Sequence, residues 1–137
     1  MTIGAAFEMA LAAHAGQTDK SGEPYIAHVV RVAAGLTDPD AVKVALLHDV
    51  VEDCDVTLQE VEEAFGPRIA SAVDAITKRD GEAHEQYLVR VAADPMARAV
   101  KLSDLADNTS PLRMARLDDA TRARLEKKYA AAIAALT

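Results

Sequence analysis

His48 and Asp49 close an apolar run, Ala45-Leu46-Leu47, and set an imidazole beside a carboxylate. Such a pair can offer one divalent cation a nitrogen and an oxygen ligand. Glu52 and Asp53 follow within the next turn. On a continuous helix Glu52 lies over His48 and Asp53 over Asp49. Four polar groups at the end of a hydrophobic helix are costly to keep unless something binds them. A metal with a water or a phosphate is the expected occupant.

Other positions can complete that set. His28, in Tyr25-Ile26-Ala27-His28, reads alone as a core histidine bonded to a carbonyl. With His48 and Asp49 it fits a metal constellation of two histidines from different helices plus an acidic group. Asp104 stands on an apolar helix between Leu102 and Leu105, where an unpaired carboxylate would be expensive. Lys101 lies nearly a turn before it and Asn108 a turn after, so a surface Asp104–Lys101 pair is the alternative. The expected ligands are His28, His48, Asp49 and Asp104. Two neutral imidazoles and two carboxylates balance a dication, and the lack of a thiolate argues against structural zinc. An octahedral ion would keep positions open for water and a phosphate oxygen, which suits Mn²⁺ best and leaves Mg²⁺, Fe²⁺ and Zn²⁺ open. Cys54 reads as a small, half-buried filler whose thiolate Asp53 and Asp55 disfavour. His14 is expected packed on an apolar face and His84 solvated.

Helices must position these groups. The chain is rich in Ala, Leu, Glu and Arg and has no run of alternating β-branched residues, so it reads as all-α throughout. A first helix is predicted from about Thr2 to Ala15, with Ile3, Phe7, Ala10, Leu11 and His14 on its apolar face. A polar loop, residues 17–23, leads to Pro24 and a second helix bearing Ile26, Val29, Val30, Val32 and Ala33 and stopping near Gly35. Asp38-Pro39 launches a third helix that carries the His48-Asp49 pair. Thr57-Leu58-Gln59-Glu60 is a capping box for a fourth. Gly66-Pro67 separates a fifth, Arg68 to about Lys78. A sixth runs from Glu82 to Ala93, a seventh from Asp94-Pro95, and Pro111 marks a break. A long Ala-rich helix, Asp118 to Leu136, completes one predicted helical domain over residues 1–137.

Composition narrows the function classes. The 137 residues carry a formal charge of −7, which disfavours nucleic acid as a partner. An anionic substrate must be attracted locally, by a bound dication and a few lysines. Charges interrupt every apolar run, so no membrane span is expected. The N-terminus lacks the basic region of a secretory signal, and a lone Cys54 suits a reducing cytoplasm. Monomer and homodimer both stay open.

Four ordered stretches carry a resemblance. They are Lys20-Ser21-Gly22-Glu23-Pro24-Tyr25-Ile26-Ala27-His28; Ala45 through Asp53; Phe65-Gly66 with Val73-Asp74-Ala75-Ile76-Thr77-Lys78; and Val100-Lys101-Leu102-Ser103-Asp104 with Asn108. Over about His14 to Asn108 the chain resembles the HD-domain metal-dependent phosphohydrolases, and within them the hydrolase domain of the RelA/SpoT homologues in its small, single-domain form. The resemblance implies an HD-domain helical bundle and a Mn²⁺-dependent 3′-pyrophosphohydrolase. Such an enzyme converts guanosine tetra- or pentaphosphate, the alarmones of the stringent response, to GDP or GTP. It implies metal ligands at His28, His48, Asp49 and Asp104, a catalytic acidic pair at Glu52 and Asp53, and substrate contacts at Lys20, Ser21 and Asn108. Lys20 and the N–H groups of the Ser21-Gly22 turn would offset pyrophosphate charge.

The chain also departs from that pattern. Asp19 stands where an Arg usually precedes Lys-Ser and helps hold the base. Val29 stands for Pro. Asp104-Leu105-Ala106-Asp107-Asn108 replaces Asp-Arg-Leu-His-Asn, and Pro111 replaces a Thr. All but the Val29 change fall where the base or ribose would be read. Adenosine alarmones or NADPH are therefore alternative substrates, and a non-catalytic nucleotide-binding module is the reading from a different class.

Overall fold

Side-chain caps and prolines set most of the helix starts in this chain. In the computed structural model, which describes residues 1–137, Thr2 Oγ1 accepts from Ala5 N at 3.1 Å and opens α1, Ile3–Ala13. Pro24 precedes α2, Tyr25–Ala34. The Asp38 carboxylate accepts from Asp40 N, with Pro39 at the first position of α3, Pro39–Leu47. A single turn, α4, covers Val50–Asp53. The Thr57/Glu60 capping box starts α5, Leu58–Phe65. Gly66, at φ 92°, turns the chain into α6, Pro67–Ile76. Next come α7, His84–Ala93, and α8, Pro95–Asn108, the latter capped by Asp94. A short α9, Pro111–Ala115, precedes α10, Asp119–Leu136, capped by Asp118.

The fold is all-α, and its only β feature is an isolated Thr18–Pro24 bridge that pinches the loop between α1 and α2. The centre is α3, whose Val44, Ala45, Leu46 and Leu47 are all buried. Helices α1, α2, α6 and α8 pack around it, and α10 lies across α7 and α8. Burial of each such Val or Leu contributes about 1.5–3 kcal/mol. Where α2 meets α8 the approach is close. A Cβ at Gly35 would stand 2.5 Å from Ser103 Oγ, which donates to the Val32 carbonyl at 2.7 Å. This seam fixes His28 on α2 relative to Asp104 on α8.

Three sequence expectations change. The His48-Asp49 pair does not ride on a continuous third helix. The Ala45 carbonyl, which a continuing helix would give to the Asp49 N–H, accepts His48 Nδ1 at 2.6 Å, and the chain turns at His48-Asp49 before α4. His48 Nε2 is thereby directed toward α8, where Asp104 Oδ1 stands 3.6 Å away. The segment after Pro111 is a helix rather than a simple break. Finally, α1 buries Ala6 and Ala10, with His14 buried just past its end, while Ile3, Phe7 and Leu11 stay exposed. Small side chains let α1 seat closely against α3, since the distance between packed helices follows the side chains at the contact.

Candidate metal centre

The ligating atoms of His28, His48 and Asp104 lie within 4.8 Å of one another, and all three side chains are buried. They come from α2, the turn after α3, and α8. Asp104 Oδ1 is 2.8 Å from His28 Nε2 and 3.6 Å from His48 Nε2. Asp49 Oδ2 is 3.0 Å from His48 Nε2 and accepts from the Tyr25 hydroxyl. Asp49 belongs also to a second group, its carboxylate oxygens lying within 4.8 Å of those of Glu52 and Asp53. The four candidate ligands thus join at Asp49 to the acidic pair.

The residues fit a dication, and His48 tests it. Its Nδ1–H donates to the Ala45 carbonyl, which leaves Nε2 as the free nitrogen. That atom is buried without an aligned hydrogen-bond partner, although two carboxylates stand close by. A bare lone pair facing two carboxylates is unfavourable, so a positive charge belongs there. Without a metal, a proton supplies it. Burial opposes the imidazolium, but the charges of Asp49 and Asp104 outweigh it and hold the His48 pKa well above the usual histidine range. Burial likewise works against ionised Asp104, yet Lys101 and the two histidines hold its carboxyl well below the usual range. Lys101 Nζ lies 3.0 Å from Asp104 Oδ2. The Asp104–Lys101 pair therefore exists, but inside the protein rather than on its surface.

Glu52 and Asp53 face the opposite electrostatic situation. Burial is the main cause that pushes both carboxyls above their usual range, and the Asp49 charge adds to it. Lys78 N donates to Glu52 Oε1 at 2.7 Å and orients it. A carboxylate with a raised pKa, open to a cavity and next to metal ligands, is equipped to take a proton from water. Cys54 has the environment expected of it, with burial and the neighbouring acids raising its thiol pKa.

These groups form the floor of a cavity of about 450 Å³. Lys20, Ser21 and Asn108 line it too, so every candidate site residue except the fully inward His48 borders this space. Five cations stand on its walls: Lys20, Lys78, Lys101, Arg113 and Lys128. In a chain of net charge −7 that is the local source of attraction an anionic substrate requires. His84 also borders the cavity, with Nε2 buried and unpartnered. Burial and the charges of Lys128, Lys101 and Lys78 lower its pKa. The solvated His84 expected from its polar neighbours is not what the fold produces.

The Ser21-Gly22 turn also differs from expectation. Asp19 Oδ1 accepts from Ser21 N, Ser21 Oγ and Glu23 N at 2.8–3.0 Å, and Gly22 N donates to the Asp19 carbonyl. Both turn N–H groups are used internally, so charge on a ligand falls to the side chains. The other oxygen of Asp19 receives Arg113 Nη2 at 2.9 Å, and the Asp19 pKa drops to about 2 because these hydrogen bonds outweigh burial. Arg113 was not among the expected site residues. Neither were Asp107, Tyr25, Lys78 or Lys128, although Tyr25 and Lys78 fall within the motif stretches and Asp107 at a departure from them.

A sequence model of the HD domain matches residues 6–135, and the chain belongs to the HD-domain family. Among its relatives, the guanosine-3′,5′-bis(diphosphate) 3′-pyrophosphohydrolase of Aquifex aeolicus is 38% identical over 119 residues, covering 78% of this chain and 17% of that protein. The protein of the same name from Vibrio cholerae is 37% identical over 125 residues, covering 80% and 18%. The bifunctional (p)ppGpp synthase/hydrolase SpoT of Escherichia coli is 35% identical over 132 residues, covering 85% and 19%. The chain thus spans less than a fifth of the length of these relatives. The solved structure of a metazoan ortholog of SpoT, described as hydrolysing ppGpp, matches with a TM-score of 0.79 at 25% identity, covering 98% of this chain and 84% of that one. No helix here is long and apolar enough to cross a membrane.

Proposed function

We propose that residues 1–137 form one HD-type hydrolase domain that removes the 3′-pyrophosphate from guanosine tetra- or pentaphosphate with Mn²⁺ as its ion. The observation that carries this reading is the cavity itself. Buried His28, Asp104 and Asp49, with His48 behind them, an adjoining Glu52–Asp53 pair and five wall cations gather at one space. Relatives that match most of the chain are named for this reaction, which supports the choice of substrate.

His28, His48, Asp49 and Asp104 would hold the cation, which would supply a water of lowered pKa and a Lewis acid for a phosphoryl oxygen. The protein's own part follows from its geometry. Glu52, fixed by Lys78 N, orients the attacking water and receives its proton, with Asp53 as its neighbour. Lys20 and the other wall cations offset the charge of the pyrophosphate. Lys101 keeps Asp104 ionised as a ligand. Asn108, its Oδ1 held by Arg113, presents its amide nitrogen to the nucleotide.

Asp19 is tied to Arg113 and is unavailable to a base in the way an arginine would be, which keeps adenosine alarmones and NADPH in view as substrates. The test is incubation with Mn²⁺ and a panel of guanosine and adenosine alarmones plus NADPH, with products separated by chromatography. Pyrophosphate release from the guanosine compounds is expected. Orthophosphate release from NADPH alone would replace this substrate assignment with another.

A further inference from the structure

His28 uses both ring nitrogens, and the outer one reveals a residue with no assigned role. Nε2 faces Asp104 Oδ1 at 2.8 Å, on the side of the candidate metal. Nδ1 faces Asp107 Oδ2 at 2.6 Å. A bare imidazole lone pair against a carboxylate oxygen is repulsive at either distance, so each contact calls for a positive partner: with the cation on the Nε2 side, the ring's one proton lies between Nδ1 and Asp107. Arg113 Nη1 is also 2.9 Å from Nδ1, but it has acceptors in Asn108 Oδ1 at 2.7 Å and Asp107 Oδ2 at 3.1 Å. Its two protons are thus accounted for without the ring. Asp107 is itself held in place, because Arg31 Nε donates to its other oxygen at 2.8 Å.

We propose that Asp107 is a positioning residue of the metal centre. It takes the Nδ1–H of His28, fixes that tautomer and ring orientation, and so leaves Nε2 unprotonated toward the ion. A neutral histidine can present only one free nitrogen, and the partner of the other nitrogen chooses which. Partners of this kind typically change metal affinity about 10–100-fold when removed. This inference rests on the metal-binding reading of His28. It adds that position 107, one of the departures from the family pattern, serves the metal rather than the base.

Two measurements test it, both on the full chain without nucleotide. Calorimetric titration with Mn²⁺ compares the unaltered chain, Asp107→Asn and Arg31→Ala. A Kd about 10–100-fold higher is expected for Asp107→Asn, and a smaller rise for Arg31→Ala, which loosens Asp107 but keeps its carboxylate on His28. A folded Asp107→Asn protein that binds Mn²⁺ as the unaltered chain does overturns the inference while leaving the metal reading in place. Nitrogen-15 spectra of His28 in the unaltered chain with Mg²⁺ need no variant to fold. They should show Nδ1 protonated; a proton on Nε2 instead refutes the role of Asp107. If the unaltered chain binds no Mn²⁺, the metal reading falls and this inference falls with it. Failure to hydrolyse ppGpp alone touches neither measurement.

Discussion

The floor and the rim of the cavity are built on different principles. On the floor, with His48 directly beneath it, His28, His48, Asp49 and Asp104 are short, buried side chains, each oriented by a second group: Asp107, the Ala45 carbonyl, Tyr25 and Lys101 respectively. On the rim, Lys20 and Lys128 are exposed cations on flexible stems, one from the α1–α2 loop and one from α10. A buried charge cannot be left unpaired without large cost, so the floor tolerates few arrangements. A rim cation in water gains little from any single geometry. Under the proposed function, the floor decides whether chemistry occurs, and the rim decides what is held and how tightly.

Substitutions can break that division, and the largest effect is expected at the floor. His48→Ala should abolish both Mn²⁺ binding by calorimetry and pyrophosphate release by chromatography, because it deletes the one nitrogen whose burial is justified only by a positive charge. Glu52→Gln should lower kcat by about 10²–10⁴-fold while leaving Mn²⁺ affinity unchanged. Equal losses in both would move Glu52 from proton acceptor to ligand. At the rim, Lys128→Ala should raise KM about tenfold, or about 1.4 kcal/mol, with kcat preserved. That KM effect should shrink as salt is added, since exposed charges are screened. A fall in kcat instead would show that the rim takes part in the chemical step.

The same division explains what could be read from the residues alone. The clustering of the candidate ligands was legible because His48-Asp49 ends an apolar run, and buried ionisable groups at such a place demand a partner. The helix caps Asp38 and Thr57 were legible because capping is a local, short-range chemistry, and the helix starts near Thr2 and Asp118 fall within a residue of those expected. The turn at His48-Asp49 was hidden because it results from a side chain competing for a backbone carbonyl, which periodicity does not register. The outward Ile3, Phe7 and Leu11 were hidden because helix packing chose the small-residue face. Arg113, Lys128 and His84 were hidden for a tertiary reason. Residues in α7, α9 and α10 meet the floor only after folding, and each stands in a stretch that reads as ordinary solvated surface.

The smallest effect sharpens the comparison within the rim. Two arginines of the same short segment reach the same loop. Arg113, 16% exposed, meets Asp19 at 2.9 Å, and Arg116, 41% exposed, meets Glu23 at the same distance. Equal distances suggest equal worth, but their surroundings differ. Arg113 shares its guanidinium with Asp107 and Asn108, so its removal strands buried acceptors as well as one partner. Arg116 makes a single contact to a carboxylate that water can serve equally well. Arg116→Ala should therefore cost less than about 0.5 kcal/mol in urea unfolding, and Arg113→Ala distinctly more. Raising the salt should erase the Arg116 effect and leave most of that of Arg113, because burial shields a pair from mobile ions. If the two variants unfold alike, the loop is held by charge alone, and the rim has no buried core of its own.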